Sequence, residues 1–487
     1  MRNPALGQPV SQCHKGPLSK GVFEKLSKGW LVLILLFLPF QVTIAQNTIW
    51  AVNYLYQGTI VLFLPLALLK LYRGRNISRN LLLVFIPIAA LAVSGAISCL
   101  INGNRLFITA LGIFDYIKNF LVIFIYAAFF TDSAEWKKIL NYVIVIGAFL
   151  GAVAAVQEAW ALIYHYILGY DIYHTGNYIL MSLPDKSQGW ELKELWRFGF
   201  LRETSLMSNP DALGLYSLLI LFFYLYTREG LNPLVFFLLF TGVFVSFSRM
   251  IFTGFVLLAG LQFFKGRRWI AISAGPVIVL LFLMSSFPDL NITHYVKKDV
   301  TEAGHIFKGT SVTKNQAKEE EAIEKQQEAK LEEWAFRPYA KNEALRIWRD
   351  NPIFGVGPGM FGGVVSVMFH SPVYKKYGFS PHWYNYMKPF RSLDQFWPQA
   401  LAELGAAGTV AFAGILLSIL IGLFVLGKRA GYEDARGLFA GLAGASLLIF
   451  IYTMGSGLNE TFFLFTYSAF VGMGLGYENA GQERIKA

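Results

Sequence analysis

About a dozen apolar segments, interrupted once by a long polar stretch from Asn291 to roughly Asp394, limit what this chain can fold into more than any other feature. A helix needs about 17 to 25 apolar residues to cross about 30 Å of hydrocarbon. The candidate segments fall at roughly 30–48, 50–69, 81–101, 106–130, 138–157, 212–226, 233–247, 250–264, 269–286, 405–426, 438–454 and 462–477. Alternating ten-residue strands of the outer-membrane barrel kind are absent, and the helix is the other structure that satisfies its own backbone inside lipid. The expected fold is therefore all-α, a polytopic integral membrane protein of about twelve transmembrane helices with a large helical loop between helices 9 and 10. Composition agrees, since 55% of the residues are hydrophobic and the mean hydropathy is +0.47.

Orientation follows from Lys and Arg in the short connections. No small-residue cleavage site precedes the first segment, which carries Pro39 and Gln41 and continues to Ile44, so it reads as a retained signal anchor. An inner N-terminus gathers Lys15, Lys20, Lys25, Lys28, Lys70, Arg73, Arg75, Arg79, Lys137, Lys138, Lys265, Arg267, Arg268, Lys428 and Arg429 on the inner side. The short outer connections then hold almost no charge beyond Arg105, Arg249 and Glu460. The expected organisation is a cytoplasmic tail at 1–29, helices 1–9 within 30–286 with an outer loop at 159–211, and a large extracytoplasmic loop at 287–398. Helices 10–12 at 399–477 and a cytoplasmic tail at 478–487 complete it. Much of the net charge of +11 is then topological and does not read as nucleic-acid binding.

The two cysteines, Cys13 in the inner tail and Cys99 inside a segment, cannot meet in one compartment, so no disulfide is expected. The histidines of the outer loops, His165, His174, His294, His305, His370 and His382, have no ligand spacing, which leaves a metal site unsupported. No internal repeat is visible, and the unequal halves argue against a transporter built from repeats. Within the large loop, Asn315–Trp334 reads as a solvated helix and Asn342–Arg349 as a short one, stopped by Asn351-Pro352. The run Gly355-Val356-Gly357-Pro358-Gly359 lacks the Lys-Ser/Thr and preceding strand of a nucleotide loop, so it reads as a turn packed at the membrane surface. Aromatic residues between Met368 and Trp397 suit either an interfacial belt or stacking on sugars.

Charges near the apolar segments are costly and mark candidate chemistry. Arg249 caps the tight turn Val245–Ser248, Arg202 precedes Ser208-Asn209-Pro210-Asp211, and Arg337 heads the second loop helix. A guanidinium presents a planar fork to phosphate oxygens, so arginines converging at one face suit a lipid pyrophosphate; snorkelling toward headgroups is the bland alternative. Asp115 and Lys118 stand three apart and read as a structural ion pair. Asp394 and Glu403 lie where the loop re-enters the membrane. Partial desolvation there suits a general base, although a carboxylate at that place also makes an ordinary helix cap.

Taken in order, these motifs resemble the O-antigen ligase/polymerase family of membrane glycosyltransferases. The likeness runs from about Arg202 to the end of the tenth segment. It rests on Arg202 with the Asn209-Pro210-Asp211 turn, on Ser248-Arg249, on Arg337 through Pro352-Ile353-Phe354-Gly355-Val356-Gly357, and on Asp394-Gln395 leading to Leu401–Gly405. Ligases of this family carry a histidine, usually His-Asn, where this chain has Asp394-Gln395, so the chain looks closer to the repeat-unit polymerases.

The resemblance implies an enzyme of the plasma (inner) membrane with its site on the extracytoplasmic side. Its substrates would be polyprenyl-pyrophosphate-linked oligosaccharides, with membrane lipid as surroundings, a chain-length regulator or flippase as a further partner, no cofactor and no nucleic acid. A glycan would pass from undecaprenyl pyrophosphate to a lipid-linked repeat unit without metal and with inversion. Arg202, Arg249 and Arg337 would bind the pyrophosphate, Asp394 or His382 would accept the hydroxyl proton, and aromatics of 368–397 would hold the sugars. An O-antigen ligase or protein O-glycosyltransferase is the alternative within the family, and a lipid-linked oligosaccharide flippase the alternative of another class.

Overall fold

The computed structural model describes residues 18–47, 50–74, 78–163, 196–197, 200–201, 204–207, 209–228, 230–286, 339–379, 393, 395–430, 433–455, 457–458 and 461–486. Sixteen helices run through them. They are α1 (Leu18–Phe37), α2 (Gln41–Asn47), α3 (Leu55–Arg73), α4 (Arg79–Asn102), α5 (Leu106–Phe129), α6 (Ser133–Leu162), α7 (Pro210–Thr227), α8 (Pro233–Phe244), α9 (Arg249–Phe263) and α10 (Arg268–Ser286). A helix at 339–350, α11, follows. After it come α12 (Val364–Met368), α13 (Pro372–Lys376), α14 (Phe396–Arg429), α15 (Glu433–Gly455) and α16 (Thr461–Lys486). A minimal hairpin pairs Trp196–Arg197 with Phe200–Leu201. The chain is thus an all-α polytopic membrane protein. Among the described residues, eight helical stretches are long and apolar enough to cross a membrane, and four more, Pro233–Phe244, Arg249–Phe263, Ile272–Leu281 and Thr461–Tyr477, are apolar but shorter.

Local chemistry sets many of the helix ends. Ser78 Oγ accepts from the Leu81 N–H to start α4, Asn209 Oδ1 from Ala212 to start α7, and Asn232 Oδ1 from Leu234 to start α8. Proline at the first helical position of α7 and α8 gives up an amide that would have no helical partner anyway. Gly103, at φ +63°, stops α4 in the left-handed conformation that a side chain resists.

The bundle is organised around α7, whose residues Ala212 to Leu225 are all buried. It packs against α6, α8, α9, α15 and α16. Outer helices show the reverse pattern, with Val61, Leu62, Leu100, Ile101, Leu106 and Val410 more than half exposed, as expected where the solvent is lipid. Close approaches use small residues, because lipid supplies no hydrophobic force between helices and van der Waals contact must hold them. A Cβ on Gly472 of α16 would collide with the Ile123 carbonyl of α5.

Direction follows from these contacts. Gly437 and Gly444 of α15 lie against Tyr226 and Phe222 of α7, so the C-terminal end of α7 meets the N-terminal end of α15. Because α14 runs into α15 through a short connection, the first residues of α7 and α14 share one end of the bundle. The 103–105 connection and the 245–248 turn lie at that end too, as does the segment from Pro352 to Gly363.

Candidate functional site

The site end is built on a broken helix. Within α14, Gly405 takes φ +61° and ψ −169°, a non-helical conformation that only glycine adopts readily. A break in a membrane helix frees backbone groups that lipid cannot satisfy. Here the loop after α11 satisfies them. Val356 and Gly357 donate their N–H groups to the carbonyls of Ala402 and Glu403, each at 2.9 Å, while Ala406 and Ala407 donate to the carbonyls of Pro352 and Ile353, each at 2.9 Å. Gly355, at φ +64°, and Gly405 pass so closely that a Cβ on either would overlap the other's backbone.

The same loop is seated on α4 and α5. Ser98 Oγ and Asn102 Nδ2 donate to the Gly355 carbonyl at 3.2 and 3.0 Å, and Asn104 Nδ2 donates to that of Val356 at 2.8 Å. Gly112 of α5 leaves room for Pro358 and Gly359. The glycine run is therefore a structural plug, its backbone spent on the bundle. The sequence places it in a turn, but it is buried between helices rather than lying on the surface.

Beyond the plug, Glu403 is buried, at 1% exposure. Its Oε1 accepts the Phe361 N–H at 2.7 Å and its Oε2 accepts the Tyr116 hydroxyl at 2.7 Å. Both oxygens are thus engaged, and Glu403 clamps the Phe361 backbone and the Tyr116 hydroxyl. Gly362 donates its N–H to the Tyr374 hydroxyl at 2.8 Å, and Leu393 donates its own to the Gly362 carbonyl at 2.6 Å. Tyr374, Tyr377 and Phe379 belong to a small core of the loop with Ala344, Ile347 and Phe361. They pack inside the loop, so these three aromatics do not present faces to a sugar. Burial, with Asp350 beside it, raises the Tyr377 phenol above its ordinary value.

Arg249 is the one sequence-derived site residue within the described part. It is exposed and opens α9 after a tight turn in which Phe247 takes φ +44°. Ser246 anchors the turn, buried against Gly214 of α7 with its Oγ donating to the Val243 carbonyl at 2.7 Å. A cation at a helix N-terminus opposes the helix dipole. Earlier in the chain, Thr204–Met207 is tied down: Ser205 Oγ donates to the Leu150 carbonyl at 2.8 Å and Thr43 Oγ1 to that of Leu206 at 2.7 Å. Arg202, Arg337, His382 and Asp394 lie outside the described residues, as does Asn315–Trp334. Asp115 and Lys118 form an ion pair on α5, with Lys118 Nζ 6.0 Å from the Tyr56 ring. Among the described residues, no three His, Cys, Asp or Glu side chains gather as a metal site.

Residues 234–413 match a family model described as O-antigen ligase. These residues are an O-antigen ligase family domain. It runs from α8 into α14 and so includes Arg249, the plug, Glu403 and the break at Gly405, together with the sequence positions Arg337, His382 and Asp394. Arg202 and α7 precede it. No curated protein matches the chain. With an O-antigen ligase domain, the general activity is of the glycosyltransferase kind and the general partner a lipid-linked oligosaccharide. Sequence reasoning missed Tyr116 and read Tyr374 only as one aromatic of the 368–397 belt; the advance signal for the clamp was the lone glutamate in the apolar run after Trp397.

Proposed function

We propose that the protein is a repeat-unit polymerase of the plasma membrane, with twelve membrane crossings, both termini in the cytoplasm and its site in the outer leaflet. The observation that carries the reading is Arg249: an exposed guanidinium at the end of the bundle where the domain's buried plug also sits. The donor is a glycan on undecaprenyl pyrophosphate and the acceptor the terminal sugar of a second lipid-linked repeat unit. The acceptor hydroxyl attacks the anomeric carbon, the bond from that carbon to the pyrophosphate oxygen breaks, and undecaprenyl pyrophosphate leaves. Inversion follows from a single attack. Asp394 takes the hydroxyl proton, with His382 as the alternative base, and no metal is needed if Arg202, Arg249 and Arg337 neutralise the leaving charge. Gln395 Oε1 and Trp397 Nε1 are buried without partners among the described residues.

Arg249→Ala is expected to lower the transfer rate by about 100- to 1000-fold, the usual cost of a lost charge-stabilising donor. Arg249→Lys should recover part of that, because it restores the charge without the planar fork. Steady-state rates with a labelled donor check both.

The domain's description as a ligase favours a second reading, transfer to a lipid core or a protein. One labelled donor offered simultaneously to a lipid-linked repeat unit and to a lipid A core separates the two. A ladder of extended lipid-pyrophosphate glycans supports the polymerase, whereas label on the core alone replaces it with the ligase.

A further inference from the structure

We propose that Gly214 and Ser246 are positioning residues for Arg249, seating the α8–α9 hairpin against α7 so that the guanidinium is held in one place at the site end of the bundle. This deepens the reading of Arg249 as a pyrophosphate-binding residue and rests on it. The chain reverses between the end of α8 at Phe244 and the start of α9 at Arg249. Val245, Ser246, Phe247 and Ser248 are all buried, at 7% exposure or less, whereas Arg249 is exposed. Whatever fixes the buried turn therefore fixes the root of the exposed residue.

The seat is on α7. A Cβ at Gly214 would come within 2.5 Å of Ile251 Cδ1 and within 2.7 Å of Ser246 Cβ and Oγ, so the turn and the first turn of α9 rest on the bare glycine backbone. On the other arm, a Cβ at Gly242 of α8 would overlap Ser217 Oγ of α7. Both arms thus meet α7 at the close range that small residues permit in lipid. Within the turn, Ser246 Oγ donates to the Val243 carbonyl at 2.7 Å and the Phe247 N–H to that of Phe244 at 3.2 Å. Phe247 is held at φ +44°, a conformation that a bulky residue keeps only when its surroundings dictate it. Its ring lies 5.5 Å from that of Phe244 and 6.4 Å from that of Phe252, which bridges the two arms. Ile251 follows Arg249 by two residues, so a side chain at position 214 that displaces it also displaces the start of α9. Gly214 precedes the matched domain at 234–413, and a residue outside that domain therefore sets the place of an arginine within it.

The test uses the purified full chain with Gly214→Ala, Arg249→Ala and the two combined. Gly214→Ala alone should lower kcat by about 10- to 100-fold with KM within about 3-fold, the scale of a small misplacement of a charge-stabilising group. On the Arg249→Ala background it should lower the residual rate by less than about 3-fold, because no guanidinium remains to be displaced. A loss of folded protein would instead multiply into both backgrounds alike. If Gly214→Ala fails to fold, Ser246→Ala decides in the same cycle, since it adds no volume and removes the bond to the Val243 carbonyl. Its expected loss is about 3- to 10-fold, again confined to the chain that keeps Arg249. A spin label on Arg249→Cys, with Cys13→Ser and Cys99→Ser, reads the same position without activity. Its mobility should rise by about 2-fold or more when Gly214→Ala or Ser246→Ala is added.

Equal losses in both backgrounds would make the contact with α7 a packing feature that does not act through Arg249, and would overturn the proposal. So would an unchanged kcat in the folded variants, or a label whose mobility does not respond to them. Absence of transfer by the wild type would instead overturn the functional reading, and the label alone would then decide whether α7 holds position 249.

Discussion

Gly405→Ala is expected to destabilise the protein by about 3 kcal/mol or more, enough to prevent isolation of a folded chain from a marginally stable membrane bundle. Two costs add. The conformation at φ +61° and ψ −169° is strained for any side chain, and the new Cβ would overlap the Gly355 nitrogen and the Ile353 carbonyl, which are backbone atoms that cannot rotate away. Separating them would also break the four backbone hydrogen bonds that satisfy the broken helix. Gly378→Ala is the control. Gly378 has φ +72° but nothing within 4 Å among the described residues, so its cost should be confined to left-handed strain, about 1 to 2 kcal/mol. Thermal unfolding of both variants in detergent checks the difference, and equal losses would show that the interlock contributes nothing beyond backbone strain.

Asp394→Asn is expected to reduce kcat by about 100- to 10000-fold with little change in KM, as befits loss of a general base in a site that still binds both substrates. The change is nearly isosteric and removes the charge while leaving room and hydrogen-bonding capacity, so folding should be unaffected. His382→Gln run in parallel identifies the base. If His382→Gln shows the large loss and Asp394→Asn does not, the proton goes to the histidine, and the acidic limb of the pH profile should move with it.

The helices were legible because hydropathy and length report directly on them. The apolar segments fall on helices, although 30–48 is divided between α1 and α2 at Leu38–Phe40 and eight helical stretches among the described residues are long enough to cross, and the short helix expected at Asn342–Arg349 is present at 339–350. The break in α14 was not legible. A hydropathy window sees Phe396–Arg429 as an apolar run with a little polarity at its start, and nothing local marks Gly405 as the residue where the path turns. The break exists because a second glycine, Gly355, distant in the chain, brings its backbone against the first. That is a tertiary contact. Glu403 was misplaced for the same reason: read at the edge of a segment it looked half-solvated, but the plug covers it and supplies the Phe361 amide. The motif arginines and Asp394 stood out as charges beside apolar segments, and resemblance in order and spacing gave them their roles. Of them, Arg249 lies within the described residues, exposed at the end of the bundle where the plug closes.

Transfer between two synthetic polyprenyl-pyrophosphate oligosaccharides by the purified protein, one carrying the label as donor and one as acceptor, tests the function most directly. The expected result is a longer glycan on the acceptor's lipid with stoichiometric release of polyprenyl pyrophosphate, lost in Arg249→Ala. Native repeat units serve as a second substrate pair so that the choice of sugar does not decide the outcome. No extension with either pair, with the labelled lipid-linked sugar crossing the bilayer of proteoliposomes instead, would contradict a glycosyltransferase and leave a flippase.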